Sequence, residues 1–249
     1  MEAALTAASR GHTVTLWDQA PTLGGQLKIA ILPPHKEGFV SLIDYFERQL
    51  KMVGIKVELG RKATWSSMVS VDPEVVILAT GSTPVRPKIK GIHREKIVTA
   101  EEVLKDKAVT GENVVIVGGG LLGCEIAEFL LDRGKKVVIV EVLNDIASDA
   151  SIFLKWPLLD SLERKGVKIL TGVKDEEIVD EGLALTDSEG RRRTLKADTV
   201  VIAVGGTPDG HLFGAVKNKF PEVYAIGDCV KPGRIWDAIH DGYALGQNI

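Results

Sequence analysis

The chain of 249 residues carries 31 basic and 34 acidic side chains, a net charge of -3, with 45% hydrophobic and 26% charged residues. That is an ordinary globular composition with core for one large or two modest domains; it gives no support for a nucleic-acid partner, and no apolar run reaches membrane-spanning length. The two cysteines, Cys124 and Cys229, form no C-x-x-C pair, which argues against a zinc site, an iron–sulfur cluster or a redox disulfide in this chain; Glu2 directly after Met1 fits no signal peptide, so a cytoplasmic location is expected.

Residues 1–10 read as an Ala-rich helix closed by Gly11, and 12–17 as a strand ending in Asp18. Helix, glycine, strand and acid make the second half of a βαβ unit. The apolar strand and glycine-rich turn that should precede them are missing, so the chain reads as starting inside a nucleotide-binding helix. Asp18 takes the ribose position of that unit. Residues 22–27 form a loop in which Gly24 and Gly25 let the backbone lie against a planar or phosphate-bearing ligand, with Gln26 offering amide hydrogen bonds.

After Pro33-Pro34, the apolar spacing over 37–53 predicts a helix stopped by Gly54, and 55–59 a strand. Residues 75–79 read as a buried strand running into Thr80, Gly81 and Pro84. The Pro-rich tract 84–91 is the clearest boundary in the first half. Thr99 is an expected N-cap, with Glu102 at the capping-box position.

The richest stretch is 114–141. An apolar strand, 114–117, leads to Gly118, Gly120 and Gly123 in G-x-G-x-x-G spacing, a helix opened by Leu121 and Leu122, and a second strand, 137–140, ending in Glu141. Each part has a physical job: a tight turn, close backbone approach to a pyrophosphate, close helix–strand packing, and a carboxylate for the ribose hydroxyls. The helix N-terminus points N–H groups and a positive dipole end at phosphates. Glu141 would oppose a 2′-phosphate, and no Lys or Arg follows it closely, which favours NADH over NADPH. Cys124, just inside this helix, reads as a small buried residue rather than a reactive thiol.

A helix over 151–165 follows, with Trp156-Pro157 expected to break it early, then a strand over 167–170. Residues 178–186 and 191–196 read as a hairpin or meander, and the run 191–193 of arginines, which follows the turn-like 187–190, as part of a solvated hairpin rather than a phosphate site. A buried strand over 198–204 ends at Gly205. This ending repeats that of 75–84, which suggests two related nucleotide domains. A short strand, 222–226, ends in Gly227-Asp228, and a last helix starts after Gly233. His240 on that helix, with Asp237 and Asp241 close in sequence, reads as a structural or surface residue.

The motifs GGQ at 24–26, ATG at 79–81, GGGLLGCE at 118–125 and YAIGDC at 224–229 resemble those of two-dinucleotide-domain flavoprotein reductases. The wording of LGGQL, KIVTAEEVL, GCEIAEFL, PEVYAIGDCV and DAIHDGY is similar to the C-terminal portion of the NADH:flavin oxidoreductases related to 2,4-dienoyl-CoA reductase, trimethylamine dehydrogenase and enoate reductase. The resemblance spans essentially the whole chain. It implies an α/β fold of two Rossmann-like dinucleotide-binding domains, the second inserted in the first: 1–110 plus 206–249 for FAD, or ADP in its place, and 111–205 for NAD(P)H.

The resemblance also implies roles. Asp18 would bind the adenosine ribose of FAD. Gly24, Gly25 and Gln26 would line its pyrophosphate or flavin, with Thr80, Gly81, Gly227 and Asp228 beside the flavin nucleotide. Gly118, Gly120, Leu121, Leu122, Gly123, Glu141 and Gly205 would serve the nicotinamide nucleotide. Glu125 matches an acid near the nicotinamide, or is a solvated helix residue. The reaction implied is hydride transfer from NAD(P)H to FAD and on to an FMN/iron–sulfur TIM barrel absent from this chain, with no catalytic side chain and no metal held here. The alternative is a truncated non-catalytic remnant that binds NADH or an adenine nucleotide only.

Overall fold

The computed structural model describes residues 1–249. Along the chain run α1 (Glu2–Ser9), β1 (Thr15–Trp17), α2 (Leu27–Ala30), α3 (Val40–Val53), β2 (Lys56–Glu58), α4 (Trp65–Val69), β3 (Val75–Leu78) and β4 (Ser82–Pro84). Next come β5 (Ile97–Thr99), α5 (Ala100–Leu104), β6 (Asn113–Val117), α6 (Leu121–Leu131), β7 (Lys136–Val140), α7 (Ile152–Arg164) and β8 (Lys168–Leu170). The chain continues through β9 (Lys174–Val179), β10 (Gly182–Thr186), β11 (Arg192–Lys196) and β12 (Thr199–Ile202), and ends with β13 (Gly206–Pro208), α8 (His211–Val216), β14 (Glu222–Ala225) and α9 (Ile235–Asn248). The α/β class expected from the sequence is what forms.

Local chemistry sets several of these ends. α3 stops at Gly54, whose φ of 79° places it in the left-handed region while its N–H returns to the carbonyls of Leu50 and Lys51. Thr99 and Glu102 make the expected capping box. A second box starts α4, from Thr64 and Ser67. The sequence hides it, because Ser stands where Glu or Gln usually signals the motif. α7 runs unbroken from Ile152 to Arg164 with Pro157 inside it, against the expected early break. The ring removes a single ladder bond, to the carbonyl of the exposed Phe153, so the helix survives.

The chain divides into two compact units, one comprising Met1–Ile31, Glu37–Thr83 and Gly206–Ile249, the other Leu32–Lys36 and Pro84–Gly205. Residues 84–110 thus group with the second unit, not with the first as the boundary near 110 assumed. The reason is strand pairing: β5 lies parallel to β12, Ile97 opposite Val200, and α5 packs on α6.

In the first unit β1 pairs with β2, β3 with β14 and β4 with β13, the first two pairs being parallel. Ala4 and Leu5 of α1 pack with Phe46 and Leu50 of α3 around one core, while Met68, Val76, Leu78 and Val216 make another. α9 lies close on α1: a Cβ on Gly246 would stand 2.6 Å from the Cβ of Thr6.

The second unit is built on a five-stranded parallel sheet, order β5-β12-β6-β7-β8. Residues 114–117 of β6 are at most 2% exposed. Cover on both faces explains why such strands read as unbroken Val and Ile. Beside it is an antiparallel sheet, order β11-β10-β9. Of the hairpin or meander expected over 178–196, the meander forms: β9 ends at Val179 and β10 begins at Gly182, whose Cβ would strike the carbonyl of Leu195. Arg192 and Arg193 open β11, and Arg191, just before it, and Arg193 hold the buried Asp187 at 3.2 and 2.6 Å. No helix is long and apolar enough to cross a membrane.

Candidate functional site

In the second unit β6 delivers the chain into the turn 118–120, and Gly120, in extended conformation, caps α6. The turn is packed against backbone. Gly118 has φ of 105°, and a Cβ on it would lie 2.5 Å from the carbonyl oxygen of Ala203. A Cβ on Gly123 would fall on the carbonyl oxygen of Gly118, so α6 can meet the turn only through a bare α-carbon.

Glu141, at the end of β7, is 8% exposed. One of its oxygens accepts the N–H of Gly119 at 2.6 Å, the other that of Leu143 at 2.8 Å. Gly119 is the glycine the spacing pattern passes over. It holds the acid against the turn, and a Cβ on it would press to 2.9 Å from the Cβ of Glu141. A carboxylate has about four lone-pair sites, so these two bonds leave capacity for a ribose hydroxyl.

Three further side chains join this region that sequence reasoning did not single out. Asp149 accepts the N–H of Leu121 at 2.7 Å, on the first residue of α6. Lys36 pairs with Glu125 at 2.7 Å, with Glu125 13% exposed, so the solvated-helix reading of Glu125 does not hold. Burial pushes the Glu125 carboxyl up, and Lys36 opposes that. Glu176, on β9, is pushed up by burial and then by the charge of Glu141, and one of its oxygens is buried without a partner. None of the three has a spacing signal, because each reaches the site from a separate loop or strand. Cys124 is fully buried; burial first, and Asp149 next, push its thiol up to about 12. A thiolate is thereby disfavoured, as the small-residue reading expected. Gly205, with φ of 91°, turns the chain after β12 and accepts the N–H of Val85.

In the first unit a polar chain joins residues far apart in sequence. Gln26 donates its amide to the hydroxyl of Ser82 at 2.8 Å, and that hydroxyl donates to Asp228 at 3.4 Å. Asp228 also accepts the N–H of Gly233 at 3.0 Å. The Thr80 hydroxyl donates to the carbonyl of Asp209 at 2.6 Å. Gly81 has φ of 78°, and a Cβ there would come 3.4 Å from the Gln26 amide. Gly24 and Gly25 both have positive φ, 109° and 50°, and nothing lies within 4 Å of where a Gly25 Cβ would be. The structure therefore brings Gln26, Gly81 and Asp228 together through Ser82. Gly227 donates its N–H to Asp241 at 3.2 Å. Asp18 stands apart from that chain of bonds, its carboxylate turned back on the N–H of Ala20 at 2.8 Å. His240 stacks on Trp236 with ring centroids 5.0 Å apart, which fits its structural reading.

Comparison with known proteins gives the family and the fold. Residues 1–244 match the family described as pyridine nucleotide-disulphide oxidoreductase. An NADH oxidase of Thermoanaerobacter brockii is 38% identical, over 100% of this chain and 39% of that protein. A metal reductase of Desulforamulus reducens is 32% identical, over 98% of this chain and 41% of its own length. A solved 2-naphthoyl-CoA reductase complex superposes with a TM-score of 0.95 at 35% identity, covering 100% of this chain and 38% of that one. The chain spans about two-fifths of the length of these relatives.

Proposed function

Because the chain belongs to the pyridine nucleotide-disulphide oxidoreductase family, we propose that it is the two-nucleotide part of an NAD(P)H-dependent flavoprotein reductase, with FAD on the first unit and NADH on the second. When bound, the reduced nicotinamide supplies a hydride and FAD accepts it; the protein supplies binding, orientation and exclusion of water. The observation that carries the reading is the single family match over 1–244, which takes in both the turn at 118–123 and the polar chain at 26, 82 and 228.

The residues fit such ligands. Gly118 and Gly123 shape a turn that no side chain could replace, and α6 presents its N-terminus there. Glu141, anchored by Gly119 and Leu143, is placed to accept from a ribose and to repel a 2′-phosphate, which favours NADH. Glu125 and Lys36 serve the nicotinamide end of the same helix. In the first unit Gly24, Gly25, Gln26, Thr80, Gly81, Gly227 and Asp228 serve the flavin nucleotide, or ADP in its place, and Asp18 its ribose once turned from Ala20. The relatives' additional length accommodates a further electron-accepting portion, for which an FMN/iron–sulfur barrel is the proposed partner.

The test is a visible spectrum of the chain incubated with FAD, desalted and mixed with NADH without oxygen. Retained yellow colour that bleaches is the expected result. A folded chain that keeps no flavin yet binds NADH would instead leave the binding-only alternative.

A further inference from the structure

Resting on the reading of the 118–123 turn as a dinucleotide site, we propose that Asp149 is a built-in competitor for the pyrophosphate and sets the affinity of that site. The segment 144–150 lies closed over the glycine turn. The N–H of Ala147 donates to the carbonyl of Gly119 at 2.7 Å, and a methyl of Ile146 stands 2.8 Å from where a Gly119 Cβ would be. Asp149 completes the closure. Its Oδ1 accepts the N–H of Leu121 at 2.7 Å, and both carboxylate oxygens lie 3.4 Å from where a Cβ on Gly120 would be.

These are the features a pyrophosphate needs: the first N–H of an eleven-residue helix and the space over its bare N-cap glycine. The carboxylate uses both, and its charge repels a second anion. The segment is held in place at some conformational expense. Ala147 is fully buried with φ of 48°, a left-handed conformation unusual for a residue with a Cβ. Lys155 ties the segment's other end through Asp145 at 2.5 Å. A phosphate-bearing ligand therefore binds by displacing Asp149, whereas a nucleoside without phosphates has no quarrel with it.

Calorimetric titration of the full chain with ADP-ribose and with adenosine separates these cases. Asp149→Asn keeps an oxygen for the Leu121 N–H and removes the charge; Asp149→Ala removes both. Both variants are expected to bind ADP-ribose about five- to tenfold more tightly than the parent, with adenosine affinity unchanged. ADP-ribose affinity that is unchanged or weaker in both, in a parent that binds it, overturns the role of Asp149 and leaves the site standing. Absence of ADP-ribose binding in parent and variants alike overturns the dinucleotide site itself, and the competitor with it.

Discussion

The two glycine-bearing turns of this chain are held by different forces. At 118–123 the constraint is backbone packing: added side-chain atoms at Gly118 or Gly123 would strike carbonyl oxygens of the second unit's own core. At 24–26 it is hydrogen bonding by side chains: Gly25 has open space around it, and Gln26 is fixed by Ser82, 56 residues away. A turn of the first kind tolerates almost no substitution but is announced by its glycines. A turn of the second kind has room for a side chain at Gly25, and although its glycine pair is local, the Ser82 that fixes Gln26 is not.

The largest test of that contrast is Gly123→Ala. Its Cβ has no room beside the carbonyl of Gly118, so α6 must move. A loss of about 3 kcal/mol or more in urea unfolding is expected, together with loss of NADH binding. Gly25→Ala should cost only the left-handed backbone penalty, about 1 kcal/mol. Equal losses at the two positions would erase the distinction.

Glu141→Ala comes next. It strips the acceptor from the N–H groups of Gly119 and Leu143. Stability should fall by about 2–4 kcal/mol, and NADH affinity by at least about tenfold. Fluorescence titration with NADH reads the second effect independently of the first.

Lys36→Met sharpens the picture through pH. Burial raises the Glu125 carboxyl above its ordinary 4.5, so the folded chain holds that proton more tightly than the unfolded one. Stability from this group is therefore lost as pH rises from about the ordinary carboxyl value through the folded one. Lys36 limits the loss by stabilising the carboxylate. Without it, the variant should match the parent near pH 4 and fall about 1–3 kcal/mol below it at pH 8. Parallel stability–pH curves would show that the pair does not matter.

The smallest effect belongs to Gln26→Ala, which removes an exposed hydrogen bond worth about 1 kcal/mol. Flavin retention after desalting should drop more visibly than stability. Retention equal to that of the parent would remove Gln26 from the flavin site.

The contrast also explains what the sequence reveals. The path from Asn113 to Glu141 was legible because strand burial, glycine spacing and the terminal acid are all local. The Thr99–Glu102 box was legible for the same reason. The short α4 and α8 were not, since five- and six-residue helices have too few turns to show a period. The turn after Val179 was hidden because Asp180 and Glu181 interrupt an otherwise strand-like run without Pro or Asn-Gly. Ser82, Lys36 and Asp149 were illegible in principle, as their roles arise when folding brings remote segments together.

The close approach of α9 to α1 bears on the order of assembly. α1 lies near the start of the chain and α9 spans residues 235–248, with the whole second unit made in between. Gly242 and Gly246 let the two helices touch nearly backbone to backbone, an interface with no slack for a substitute partner. A ribosome releases the second unit complete while the first still lacks its closing helix. Refolding should therefore show two phases, a fast one from the inserted unit and a slower one from a long loop that must close before α1 is covered.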